Sequence, residues 1–305
     1  MKKKIIWGAV SVVALVLAIL FFRYRWYKLD YYIPKHPLQF SAPFRTMAQH
    51  DSLMQDKSWP YVLEITTDRS ELLYYGSWHT TSPDDPQIAE IKQLWDEFDP
   101  TIAVTENRLG LFVGNLEAGV SYFAEFGALF ALARRDDIPI YTLEPPWEVE
   151  VAEMKAGFPT EEVTLFYTLR VFLSERGQGK TREEIDDLAR HLLKKRGSRP
   201  GLEGSLPNLA ALDSVWNERF SGLGPWRDLP PNAIHPGAEP TRLNALANLA
   251  NEIRDRHATA VILDLMDQGE RIFALAGGSH VVKQEPVLRA GVGEETDVRV
   301  KWSER

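Results

Sequence analysis

The chain has 305 residues, with 35 Lys and Arg against 43 Asp and Glu, and no cysteine. That length suffices for one large domain or two modest ones, and the lack of cysteine excludes disulfides, thiolate nucleophiles, zinc knuckles and iron–sulfur clusters. Residues 1–28 carry six basic side chains and no acid, so the formal net charge of −8 leaves −14 on the rest, which is a poor match for a phosphate backbone and argues against a nucleic-acid partner.

In chain order, Lys2, Lys3 and Lys4 precede an uncharged run over residues 5–22, "IIWGAVSVVALVLAILFF". As a helix it would be about 27 Å long, close to a bilayer core. "RYRWYK" over 23–28 supplies basic and aromatic residues suited to a membrane interface. The run ends in bulky residues with no Ala-x-Ala site, so an uncleaved N-terminal transmembrane helix is expected over residues 1–28. The short Lys-rich N-terminus stays inside, which places the body outside the cytoplasm. Residues 29–58, with three prolines between 31 and 44, read as an extended linker.

Residues 59–305 read as an α/β domain: a mostly parallel or mixed sheet with flanking helices and a helical insertion at about 146–240. Strands are predicted at 61–66 and 70–76, joined by the turn "TDRS". An amphipathic helix follows, with Ile88, Ile91, Leu94, Trp95 and Phe98 on one face. Next come a strand at 101–105, an apolar helix at 119–135 and a strand at 138–143. Four helices are predicted at 148–154, 161–174, 182–195 and 208–220. A Pro/Gly-rich loop over 221–240 precedes a long helix at 241–266. A strand at 271–276, a helix near 281–290 and a last strand, "DVRVKW", complete the chain.

Two words share the form Gly-x-x-His: "GSWH" at Gly76–His79 and "GGSH" at Gly277–His280. Each follows a strand and precedes a helix. In an open parallel sheet, ligands bind beyond the carboxyl ends of the strands. His79, Glu106, Glu144 and His280 all fall just past a predicted strand. If those strands are parallel neighbours, the four line one edge. Glycine lets a ligand approach the backbone, and imidazole binds metals or moves protons near neutral pH. Two chemistries stay open: His79, Glu106 and His280 as ligands of a divalent metal ion with an open position for water, or a histidine base oriented by a carboxylate. Glu106 also suits a cap or salt bridge, and Glu144 suits an N-cap for the helix after Pro145-Pro146. His257 and Arg254 share a helix face, where surface positions are the ordinary expectation. Neither a serine nucleophile elbow nor a phosphate-binding glycine loop is present.

The order "YYGSWH", "AVTENR", "AEFGALFALARRDDIPIYTLEPP", "ANEIRDRHATAVI" and "FALAGGSHVV" resembles the TraB / Tiki / erythromycin-esterase / ChaN-like superfamily over most of residues 70–290. The resemblance is weakest at about 156–240. It implies a site built from His79, Glu106, Arg254 and His280, with Arg254 stabilising an oxyanion or binding a substrate carboxylate. Glu125 and Glu144 would bind substrate or support the site. Two positions depart from the pattern: Ala258 stands where Met is common, and Ala124 where Gly is common. The family's branches include a metal-dependent membrane-anchored protease, a lactone hydrolase, haem binders and regulators of peptide pheromone. The resemblance thus implies a membrane-anchored extracytoplasmic hydrolase of peptide or ester bonds. The alternative is a non-catalytic protein that binds a peptide, haem or small ligand in the same cleft.

Overall fold

A computed structural model describes residues 12–18, 29–35, 40–108, 115–235, 241–293 and 296–304. The chain divides into two compact units. The sheet unit comprises residues 1–45, 52–144 and 258–305, and the helical unit 46–51 and 145–257. Most of the expected membrane helix lies outside the described residues; within it, residues 12–18 are helical.

The strands are β1 (Asp30–Tyr31), β2 (Lys57–Thr66), β3 (Glu71–Ser77), β4 (Ile102–Thr105), β5 (Ile140–Thr142), β6 (Arg271–Gly277) and β7 (Asp297–Glu304). They form one sheet in the order β1-β5-β4-β6-β3-β2-β7. β1, β5, β4, β6 and β3 pair in parallel, while β2 runs antiparallel to both β3 and β7. The sheet is therefore mixed and mostly parallel, as the alternation of strands and helices predicts. "LLYY", "IAVT" and "IFALA" are apolar throughout because both faces of a central strand are covered. Leu72, Tyr74, Ile272 and Ala274 enter one core, whereas Leu73, Tyr75, Phe273 and Leu275 enter the other. That split follows the two-residue period of a strand.

Helices α2 (Pro86–Phe98) and α3 (Leu116–Arg135) cover one face, through Ile88, Ile91, Trp95, Leu129 and Phe130. Helix α9 (Gly278–Val292) and the last turns of α8 (Arg242–Asp267) cover the other, through Val281, Val282, Val261 and Ile262. Asp85 caps α2 by accepting from Gln87 N, and Asn115 caps α3 by accepting from Ala118 N. Among the described residues, α3 is the one helix long and apolar enough to cross a membrane, and more than half of it is buried inside the sheet unit. It is a core helix.

Residues 29–58 are more than the expected linker. Leu29 is buried, β1 pairs with β5 at the sheet edge, and Met47–Met54 forms helix α1. Prolines masked this in the sequence, since a two-residue strand leaves no periodicity to read.

The helical unit contains α4 (Trp147–Gly157), α5 (Thr160–Glu175), α6 (Arg182–Gly197), α7 (Leu209–Arg219) and the first part of α8. It has its own core, with Phe166, Phe172, Trp216 and Trp226 at the centre. The wholly buried Glu162 accepts from Arg219 Nη1 at 2.7 Å and from Arg242 Nε at 2.7 Å. Two guanidiniums there replace the water that the carboxylate has lost. The insertion is longer than expected, because the first turns of α8 belong to it.

Candidate functional site

β6 inserts between β3 and β4, so words two hundred residues apart in sequence become neighbours. Ser77 stands in register with Gly277, and β4 lies on the other side of β6. The carboxyl ends of β3, β6 and β4 therefore deliver His79, His280 and Glu106 to one edge.

A Cβ built on Gly277 would lie 3.3 Å from Glu106 Oε2, 3.8 Å from His280 Cδ2 and 3.8 Å from His79 Cε1. All three side chains thus converge on one glycine. Gly278 has a different reason to be glycine. A Cβ there would fall 2.0 Å from the Trp59 ring, so the sheet-to-helix turn packs directly on that indole. No side chain caps α9. Glu106 stands at its head, where Oε2 accepts from Gly277 N at 2.7 Å. An acid there is favoured by the helix dipole. Its other oxygen lies 3.4 Å from His280 Nε2.

The second carboxylate comes from α3. Glu125 is wholly inaccessible to solvent. Its Oε1 lies 2.8 Å from His79 Nδ1 and accepts from Ser77 Oγ at 3.0 Å; its Oε2 accepts from Thr80 N at 3.1 Å. The His79 ring lies against Phe126, with centroids 5.6 Å apart. The loop after β3 is pinned from the other side: Gln87 Nε2 donates to Trp78 O at 2.7 Å, and Trp78 Nε1 donates to Asp85 at 3.2 Å.

Glu125 reaches this place because α3 turns a corner just before it. Ala124 has φ 55° and ψ −156°, a conformation almost confined to glycine. The arms on either side touch backbone to backbone: a Cβ on Gly127 would fall 2.0 Å from Gly119 O. Here Ala124 tolerates the strain because both arms are fixed.

Glu125, expected to bind substrate or support the site, is the partner of His79. Glu144 is also buried. Its carboxylate lies 3.5 Å from Arg108 Nη2, and its backbone N donates to Thr142 Oγ1 at 3.0 Å. It is not the N-cap of α4, because Pro146 fills that position without a side-chain bond. Arg108 was visible in "TENR" but gave no signal of its own; only the parallel pairing of β4 with β5 brings it to Glu144.

Arg254 lies in the helical unit. It is buried rather than on the surface, and its Nη1 donates to Asn251 Oδ1 at 3.5 Å. His257 is buried too. Two of the remaining histidines, His191 and His235, are exposed, and His36 lies outside the described residues.

His79, Glu106 and His280, expected as ligands of a divalent ion, all come close to Gly277. Among the described residues, no group of three or more His, Asp or Glu side chains stands where it would hold an ion. His79 Nδ1 faces Glu125, and Glu106 Oε2 holds the Gly277 amide. Each histidine is instead matched with a carboxylate. Compared with known family models, characterised proteins and solved structures, the chain finds no match.

Proposed function

We propose that the protein is a membrane-anchored hydrolase of ester or peptide bonds, with its site at the carboxyl edge of β3, β6 and β4. The observation that carries this reading is the fully buried Glu125 carboxylate 2.8 Å from His79 Nδ1. A carboxylate so placed holds the proton on Nδ1, fixes the ring and stabilises the imidazolium that forms when Nε2 takes a proton.

His79 acts as the general base. It takes a proton from water as the water oxygen attacks the substrate carbonyl, and it returns that proton to the leaving group as the carbon–oxygen or carbon–nitrogen bond breaks. The first backbone N–H groups of α9 have no intrahelical partner. They lie beside His280 and stabilise the negative charge that develops on the carbonyl oxygen. That role was expected of Arg254. His280, held by Glu106, orients the substrate or water on the far side of Gly277. Each of these steps uses the protein's own groups.

The run over residues 5–22 and its basic flanks support the anchor, with the body outside the cytoplasm. Protease added outside sealed vesicles should degrade residues 29–305.

The test uses the full chain in detergent against p-nitrophenyl esters and quenched-fluorescent peptides. Hydrolysis should occur, survive chelation, and fall at least about a hundredfold in His79→Ala. Unchanged turnover in His79→Ala would overturn the reading. Activity abolished by chelation and restored by a divalent ion would replace the metal-free mechanism. Absence of any hydrolysis, together with a Soret shift on adding haem, would favour the binding protein.

A further inference from the structure

The segment that follows the proposed membrane helix is built into the sheet unit. Leu29 is 3% exposed. β1 pairs with β5 in parallel, so Asp30 shares a row with Tyr141, Val104 and Ala274. Tyr32 Oη donates to Asp264 Oδ2 at 2.5 Å, and Lys35 N donates to Asp264 Oδ1 at 3.3 Å. Asp264 lies in the last turn of α8, which leads into the start of β6. Phe22 and Leu29 are seven residues apart, a span of at most about 25 Å.

This gives the sheet unit a direction. Because β1 is parallel, the chain enters from the amino ends of β5, β4 and β6 and runs toward their carboxyl ends. Gly277, at the proposed site, is three residues beyond the row of Asp30 and six beyond Arg271, the first residue of β6. The site thus stands about 20 Å from the amino edge. Ile33 is 64% exposed, the most exposed large aliphatic side chain among the described residues after residue 18. Lys35 is exposed too. An apolar side chain beside a basic one, close to an anchor, suits a bilayer interface. Asp68, Asp99, Asp137 and Asp267, shortly before β3, β4, β5 and β6, are exposed at the amino edge. Residues 23–28 carry Arg23, Arg25 and Lys28 and no acid, so they attract that edge.

We infer that the sheet unit stands on the bilayer by its amino edge, with Ile33 and Lys35 in the interface and His79 turned away from the lipid. This orientation rests on the membrane-anchored hydrolase proposed above. It narrows the substrate to a water-borne ester or peptide. Ester bonds of lipids in the anchor's own bilayer lie at the opposite edge of the sheet, out of reach of His79.

The chain has no cysteine, so a single introduced thiol carries a single label. Full-length Ile33→Cys, Asp267→Cys and Ser82→Cys proteins, each bearing a bimane fluorophore, are placed in phosphatidylcholine nanodiscs with and without lipid nitroxide-labelled at the headgroup. The label on Ile33→Cys should lose most of its emission and that on Asp267→Cys part of it. The label on Ser82→Cys, in the loop after β3, should lose almost none. Flotation of the unlabelled full chain with carbonate-washed vesicles tests the anchor separately. A chain that does not float overturns the anchor and this orientation with it. A chain that floats but is quenched at Ser82→Cys as strongly as at Ile33→Cys, or at neither, overturns the orientation alone. So does cleavage of a fluorogenic phosphatidylcholine ester in the same discs that is lost in His79→Ala. Cleavage of p-nitrophenyl acetate with that lipid ester left intact supports it. Thermal melts confirm that each labelled variant is folded, and the contrast between Ile33→Cys and Ser82→Cys decides the matter if Asp267→Cys is not.

Discussion

The two Gly-x-x-His corners sit side by side in the sheet, yet they solve the same problem in different ways. His79 is held by a carboxylate from a distant helix, and His280 by one from the adjoining strand. Glu125 is 0% exposed while the His79 side chain is 68% exposed. Glu106 and His280 are similar, at 18% and 15%. The first pair is thus a buried anchor under an open imidazole, and the second an evenly and largely shielded couple at a longer distance. A buried carboxylate cannot trade its partners for water, so it imposes geometry on them. An exposed ring on a fixed base can meet substrate. That difference assigns proton transfer to His79 and orientation to His280.

The largest expected effect breaks the comparison if it fails. Glu125→Gln keeps the shape but turns one oxygen into a donor, which cannot satisfy His79 Nδ1, Ser77 Oγ and Thr80 N together. Turnover should drop about 10²- to 10⁴-fold, measured as kcat on whichever ester is hydrolysed. Glu106→Gln should cost about tenfold, since one amide oxygen can still accept from Gly277 N. Equal losses would mean that the two corners share one role.

Next in size come two adjacent glycines with opposite expected outcomes. Gly278→Ala drives a methyl into the Trp59 ring and should destabilise the fold by about 1–3 kcal/mol in denaturant melts. Gly277→Ala adds a methyl where the nearest atom is 3.3 Å away. It should fold with little change in melting temperature and still lose activity, because the methyl occupies the space that His79, Glu106 and His280 enclose. A Gly277→Ala protein with normal turnover would place the reacting atoms elsewhere.

A smaller change sharpens the account of how Glu125 is placed. Ala124→Gly relieves a positive φ at the α3 corner and should raise stability by about 1 kcal/mol, measured as the unfolding midpoint. Lower stability would mean that the corner is less strained than its angles imply.

The strand-end rule located His79, Glu106, Glu144 and His280 from sequence, because apolar runs and glycine breaks are local signals. Glu125 was assigned a different role for a physical reason. Gly119–Arg135 reads as one continuous apolar helix, and nothing local announces a corner at an alanine. Arg108 and Glu144 meet only through strand order, which no window of sequence encodes. Arg254 was read as a surface helix residue or, from the resemblance, as a group that stabilises an oxyanion or binds a substrate carboxylate. Its burial beside Asn251 depends on the packing of the helical unit. Helices of that unit were legible from their caps, such as Thr181 before Arg182–Gly197.

The smallest effect concerns what holds the helix of the second corner. Glu285 on α9 accepts from Tyr61 Oη at 2.7 Å, Arg45 Nη1 at 2.6 Å and Arg289 Nε at 2.7 Å. Burial alone would raise its carboxyl pKa, but Tyr61, Arg45 and Arg289 outweigh burial and hold it below the ordinary glutamate value. Burial and the same contact with Glu285 push the Tyr61 hydroxyl far up. A carboxyl whose folded-state pKa is depressed stabilises the fold at pH above its unfolded value, 4.5. That contribution fades as pH falls through the lower folded-state value, because the unfolded chain then binds the proton first. Melting temperature followed from about pH 7 to about pH 3 should therefore fall in acid, and Glu285→Gln should lower the neutral plateau and flatten the acid limb. An acid limb as steep in Glu285→Gln as in the parent would assign the acid sensitivity to other carboxylates. The anchor of α9 would then be Arg45 on the Val282 carbonyl, at 2.6 Å, rather than the charge on Glu285.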